Sequence, residues 1–173
     1  CDPCNWKGES WYGIECENER ESKIVLGNNS LSGTLPNEFG ALQSLSELLL
    51  GRNNLIGNIP TEIWNLRKLV TLGLSGTQIE GTLPSTIGNL TKLQNLYIQS
   101  TNLNGELPSE LGALLELETV ILDWNNLSGQ IPKELGNLIN LGILQLSGNQ
   151  LNGNIPPELG NLTSLRVIWL NDN

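Results

Sequence analysis

Apolar residues recur along this chain in two superimposed rhythms. In short runs they alternate: Ile24/Leu26, Leu48/Leu50, Leu72/Leu74, Leu96/Ile98, Val120/Leu122, Leu144/Leu146 and Ile168/Leu170 each enclose one residue of freer identity. Alternation over so short a stretch predicts a β-strand with one buried face. The longer rhythm is a segment L-x-G-x-[IL]-P that returns as Leu31–Pro36, Leu55–Pro60, Ile79–Pro84, Leu103–Pro108, Leu127–Pro132 and Leu151–Pro156. Its glycines, Gly33, Gly57, Gly81, Gly105, Gly129 and Gly153, stand 24 residues apart with no insertion. A fixed period of this length marks stacked units that bury their apolar faces only against one another.

Each unit can be drawn from residues 45–68. The strand residues stack in register into a parallel sheet, with Leu45, Leu69, Leu93, Leu117, Leu141 and Leu165 as a further buried rung and Glu21 at that place in the first unit. Three residues past each strand lies Asn29, Asn53, Asn125, Asn149 or Asn173. An amide at a bend can satisfy backbone groups of its own and the next coil, so this column predicts a structural ladder. Thr77 and Thr101 interrupt it, and the ladder is expected to be weakest there. The comb glycine provides an unusual backbone angle or a close approach between coils. The comb proline presets a bend and starts a turn or two of helix, of 3₁₀ type given its length. Strand, turn, second short strand and helical turn make one unit: an α/β solenoid.

Residues 1–20 do not follow the period. They hold all three cysteines together with Trp6 and Trp11, which reads as an N-terminal cap over the first core layer. Cys4 and Cys16 are the preferred pair, closing a short loop that would contribute roughly 2–4 kcal/mol. Cys1 could pair elsewhere or replace Cys4, and three reduced thiols are the remaining alternative. Residues 21–173 then comprise six complete repeats and a partial seventh, with the expectation that a C-terminal cap is absent.

The motif L-x-x-L-x-L-x-x-N-x-L-x-G-x-I-P-x-x-L-G-x-L-x-x resembles the plant-specific class of leucine-rich repeat, and Trp11-Tyr-Gly-Ile-Glu-Cys16 is similar to that class's W-x-G-V-x-C cap. The resemblance implies a right-handed superhelix with a concave parallel sheet, and an extracellular setting like that of receptor-kinase ectodomains and polygalacturonase-inhibiting proteins. Lys7–Ser10, inserted between the two cap tryptophans, departs from the usual cap spacing.

Charge narrows the partners. The formal net charge of -9 disfavours phosphate backbones and anionic membranes, and no apolar run is long enough to span a bilayer. Nucleic acid and direct membrane insertion are therefore not expected. There is no histidine, metal-spaced cluster or phosphate loop, so no enzyme, metal or cofactor is indicated. Glu38, Glu62, Glu110, Glu134 and Glu158 follow the comb prolines at regular spacing and read as solvated first-turn residues.

Positions left free on the strand face carry the functional signal. Val25, Leu49, Gly73, Tyr97, Ile121, Gln145 and Trp169 are predicted to point outward from the concave sheet, flanked by Arg52, Gln99, Asp123, Trp124 and Asp172. Exposed aromatic and apolar groups beside charges compose an interaction surface, with Tyr97, Ile121, Asp123, Trp124, Trp169 and Arg52 as its candidate ligand-binding residues. Four N-x-[ST] sequons begin at Asn28, Asn89, Asn126 and Asn161. The reading that follows is a non-catalytic, secreted or cell-surface recognition module for a protein or peptide ligand. An alternative is a structural subunit that joins copies of itself into an extracellular assembly, sheath or filament. Ice binding is disfavoured, because the column Thr34, Asn58, Thr82, Glu106, Gln130, Asn154 is not an array of threonines.

Overall fold

A computed structural model of the chain describes residues 13–17 and 20–173, with backbone only for 14–17, 20 and 21. The proposed Cys4–Cys16 pair, and with it most of the cap, lies outside the described residues. The architecture is a solenoid of two parallel sheets closed on the third side by single helical turns. The inner sheet has eight strands: Ile14–Glu17, Arg20–Val25, Glu47–Leu49, Thr71–Gly73, Asn95–Tyr97, Thr119–Ile121, Ile143–Gln145 and Val167–Trp169. From Arg20–Val25 onward every pairing is parallel and advances one coil at a time. Ile14–Glu17 pairs antiparallel with Arg20–Val25, a hairpin in the off-period segment that the strand pattern did not disclose.

The second sheet has six strands, Ser32–Thr34, Asn54–Asn58, Gln78–Thr82, Asn102–Glu106, Asn126–Gln130 and Gln150–Asn152, on the far side of the turn. All six comb glycines have positive φ, from +74° to +98°. At Gly105 a Cβ would also lie 2.8 Å from Thr82 Cγ2. The backbone angle and the close approach are thus both required, which explains why no other residue occurs there. Each comb proline caps a 3₁₀ turn, in extended geometry at Pro36, Pro84, Pro108, Pro132 and Pro156. The recurring glutamates sit in the first turns of these helices, on the convex side.

Between the layers runs one continuous core of leucine and isoleucine. Strand leucines such as Leu48, Leu72, Leu96 and Leu144 meet comb residues such as Ile79, Leu103 and Leu127 and helical-turn residues such as Ile63, Ile87 and Leu135, all buried. A fully buried leucine contributes roughly 1.5–3 kcal/mol, so stacking such rungs provides most of the stabilisation that no single coil has alone. The helical turns approach closely enough that Gly112 and Gly136 face Glu134 and Glu158 of the next coil; a Cβ would lie 2.7 Å from either glutamate's Cβ. In the second coil Trp64 replaces that glycine and is itself only 1% exposed.

The asparagine column lies at the turn between the sheets. Asn53 donates from Nδ2 to Leu50 O and to Leu26 O of the preceding coil, at 2.7 and 2.8 Å, while its Oδ1 accepts from Asn29 N and Leu31 N at 2.9 and 3.0 Å. Asn125 and Asn149 repeat this with Ile98, Leu122, Leu103, Leu146 and Leu127. Asn29 is exposed and takes part through its backbone N–H. Thr77 makes one bond, from Oγ1 to Leu74 O at 2.8 Å, and Thr101 directs its hydroxyl mainly to Asn125 Oδ1 at 2.6 Å. Neither hydroxyl reaches the backbone of the preceding coil, because it is shorter than an amide by one bonded group.

Candidate functional site on the concave sheet

The inner sheet carries three outward columns, each built from residues 24 apart. In the first, Lys23 and Glu47 form an ion pair at 3.1 Å, and Asn95 accepts from Tyr97 Oη at 3.2 Å, so this edge is satisfied internally. The middle column is the one picked out by the sequence. Its register runs Leu49, Gly73, Tyr97, Ile121, Gln145, Trp169 on successive strands, about 4.8 Å apart. Tyr97 and Ile121 are therefore neighbours, half-buried, whereas Trp169 is separated from Ile121 by Gln145 and is 53% exposed.

The third column is Gly27, Gly51, Ser75, Gln99, Asp123, Ser147 and Asn171. Asp123 departs from the expected exposed ligand contact: it is only 6% exposed. Its carboxylate accepts the Ser147 backbone N–H at 2.6 Å, while Ser147 Oγ donates to Asn171 Oδ1 at 2.8 Å. Burial raises the Asp123 pKa above its ordinary value, and the Ser147 N–H partly offsets this. Spacing alone could not show that coil packing would cover this side chain.

Beside that column every coil contains one residue in the left-handed region: Asn28, Arg52, Gly76, Ser100, Trp124, Gly148 and Asp172, with φ between +55° and +66°. This geometry turns the side chain along the solenoid over the following coil. Trp124, 59% exposed, lies across Gly148, where an added Cβ would be 2.8 Å from indole Cδ2. Arg52 does the same on a smaller scale, its Cγ 3.6 Å from the position a Cβ would take at Gly76. Among the described residues no carboxylate pairs with Arg52.

The structure divides the predicted site into two parts. Around Arg52 and Tyr97 the sheet is hollowed, leaving about 360 Å³ lined by Gly27, Asn28, Leu49, Gly51, Arg52, Gly73, Ser75, Tyr97 and Gln99. The hollow exists because three coils place glycine where side chains would otherwise stand. Leu49 leans over Gly73 so closely that a Cβ there would be 2.6 Å from Leu49 Cδ2. Ser75 Oγ bonds Gln99 Oε1, which fixes the far wall. Its walls are mainly apolar, with Arg52 supplying the charge at the rim. Ile121, Asp123, Trp124 and Trp169 belong to the other part, where the third column begins with the buried Asp123. Gly27, Gly51 and Ser75 were missed as site residues; their signal was a run of small residues two places after the middle column.

The sequons are spread around the coil. Asn28 is exposed beside the hollow, Asn126 is exposed on the second sheet, Asn161 is exposed at the end of the last helical turn, and Asn89 is half-buried at the end of Ser85–Asn89.

A family model described as leucine-rich repeat region matches residues 61–172, and a second, for the single leucine-rich repeat, matches 22–42 and 44–66. The chain belongs to the leucine-rich repeat family, and its solved relatives place it with the plant-type extracellular members. It is 37% identical to the protein in the PEPR1–AtPEP1 crystal structure, with a TM-score of 0.91, covering 98% of this chain and 24% of that one. Against the ectodomain of the Arabidopsis receptor kinase HAESA, solved with an N-terminally extended IDA peptide hormone, identity is 32% and the TM-score 0.88, over 99% of this chain and 30% of that one. The BIR3–SERK2 complex from Arabidopsis thaliana matches at 35% identity and TM-score 0.76, over 87% and 82%. The chain thus spans about a quarter to a third of the two larger ectodomains. Comparison with curated proteins returned no significant match.

Proposed function

We propose that the chain is a non-catalytic extracellular recognition module that binds a protein or peptide ligand along its concave sheet. The observation that carries this reading is the hollow between Leu49, Arg52 and Tyr97 on the concave sheet. A concavity of this size, with apolar walls and one rim charge, accommodates a side chain and orients it. The exposed Trp124 and Trp169 extend the same face and offer rigid aromatic anchors. The relatives support it: the HAESA ectodomain was solved with the IDA peptide hormone, PEPR1 with AtPEP1, and BIR3 with SERK2. In this reading residues 1–20 are the cap, Cys4 and Cys16 its disulfide, and the exposed Asn28, Asn126 and Asn161 the most accessible glycan acceptors.

The test is a selection of binders from a random peptide library, followed by capture measurements. Tyr97→Ala and Trp169→Ala should each weaken capture of the selected peptides by about tenfold or more, with an unchanged melting temperature. Glu134→Ala on the convex side should leave capture unchanged. Equal losses from the convex variant, or unfolding of both concave variants, would overturn the assignment to this face. Sizing of the same protein at several concentrations addresses the alternative of a self-assembling subunit, which a strict monomer eliminates.

A further inference from the structure

The first outward column of the inner sheet changes character along the solenoid. In the early coils its polar groups are paired, Lys23 with Glu47 and Asn95 with both Thr71 and Tyr97. Beside it Ser46 Oγ donates to Ser22 O, and Lys92 pairs with Glu116. Beyond Asn95 the pairing stops. A groove of about 380 Å³ opens along the flank of the last three strands, over Thr119 and Ile143 and between Glu118, Gly142 and Arg166, with Asn140 and Ser164 on its far side. Among the described residues the side chains of Glu118, Thr119, Ser164 and Arg166 make no hydrogen bond or ion pair. Asn140 is anchored by one bond, from Nδ2 to Leu115 O at 2.9 Å, which leaves its Oδ1 to accept from a ligand.

The floor of the groove is Gly142, in a column that elsewhere reads Ser46, Val70, Gln94, Glu118 and Arg166. Nothing in the frame demands glycine there. Its φ is outside the left-handed region, and an added Cβ would meet only Glu118 O at 3.6 Å and Ser164 O at 3.7 Å, ordinary contact distances. The comb glycines, Gly112, Gly136 and Gly148 are each required by a backbone angle or by crowding. Gly142 instead keeps open a space that the fold would tolerate closing.

The main chain offers this groove no open edge. Gly142 N and Ile143 N both donate to Glu118 O, and Arg166 N and Val167 N both donate to Gly142 O. Recognition therefore rests with the side chains: an acceptor-only carboxylate, a donor-only guanidinium, an amide oxygen and two hydroxyls that can do either. An anionic ligand would be opposed by Glu118 and a cationic one by Arg166, while an extended peptide would find no backbone partners. An uncharged ligand whose polar groups each donate and accept matches the set, and vicinal sugar hydroxyls are such groups. We infer that the groove is a binding site for a neutral oligosaccharide. Hydroxyls on one ring edge donate to Glu118 and Asn140 Oδ1 and accept from Arg166, Thr119 and Ser164 complete the set, and the C–H face of the ring rests on Ile143 above Gly142. The volume falls within the range of small-molecule sites, roughly 300–1,000 Å³. The groove shares no residue with the hollow around Arg52 and Tyr97, so this function is additional to peptide or protein recognition on the concave face.

The experiment is a titration of ¹⁵N-labelled protein with neutral trisaccharides of glucose, mannose, galactose and xylose, alongside anionic trigalacturonate and a cationic glucosamine trimer. The amide signals of Thr119, Gly142 and Ile143 should shift with at least one neutral trisaccharide and less with either charged one. Glu118→Gln and Arg166→Gln should each weaken that binding at least about threefold. Gly142→Gln, which places in the floor the side chain that the same column carries at Gln94, should abolish it with an unchanged melting temperature. No response to any neutral trisaccharide, a stronger response to a charged one, or binding that survives Gly142→Gln would overturn the site. Shifts confined to Gly51 and Tyr97 would overturn it too, by placing the sugar in the hollow. The concave-face reading is judged separately, by the library selection.

Discussion

The two halves of the concave sheet share a backbone and differ in what fills it. From Gly27 to Gln99 the third column is glycine, glycine and serine before Gln99, and the ladder beneath passes from Asn53 to Thr77 and Thr101. From Asp123 to Trp169 the face carries Trp124 and Trp169 beside Ser147 and Gly148, the Ser147 N–H is closed by Asp123, and the ladder is asparagine at Asn125 and Asn149. The difference shows that stability and display are set separately in this fold. Within the half that leaves room for a ligand, the turns at Thr77 and Thr101 have fewer bonds than the turn at Asn53.

The largest expected effect tests the frames of the two halves against each other. Asn125→Ala removes bonds to Ile98 O and Leu122 O and strands Leu103 N–H, all buried, and should cost roughly 3 kcal/mol in urea unfolding. Thr77→Ala loses one bond and should cost about 1 kcal/mol. Similar losses from both would mean that the ladder is not weaker beneath the hollow.

A smaller effect concerns filling. Gly148 combines a left-handed φ of +63° with the face of Trp124, so Gly148→Ala should cost about 1–2 kcal/mol and release the indole. A red shift in tryptophan emission with retained folding would report that release; unchanged emission would show that Trp124 does not depend on the glycine.

The smallest concerns the buried carboxylate. Because the folded-state pKa of Asp123 is raised from 3.8, the native state binds its proton more tightly than the unfolded chain does. Its contribution is therefore full below about 3.8 and is lost as pH rises through the folded value. Asp123→Asn, which keeps an acceptor for Ser147 N–H, should be slightly more stable than the parent at pH 7, with the advantage vanishing at acid pH. An advantage that grows on acidification would reverse the assigned sign.

The frame was legible because a strict 24-residue period repeats every requirement several times, so that strands, comb and helical turns each appear as columns. The Ile14–Glu17 hairpin was not, since it falls where the period fails. For the site, the middle column could be listed but not weighed. Whether Leu49 leans over Gly73, or Asp123 turns inward to an N–H, depends on contacts between coils that no single column contains. The hollow in particular is made of absent side chains, and sequence reasoning attends first to those that are present.

The left-handed position in each coil carries an evolutionary consequence. A non-glycine residue there is held in a conformation that costs on the order of 1 kcal/mol, so selection for stability alone would drive the whole column to glycine. Glycine stands there at Gly76 and Gly148, whereas Arg52 and Trp124 hold the same angle with a side chain. In this chain the residues immediately before the ladder at Arg52 and Trp124 are therefore strained positions whose replacement by glycine should raise stability while removing the side chain they display.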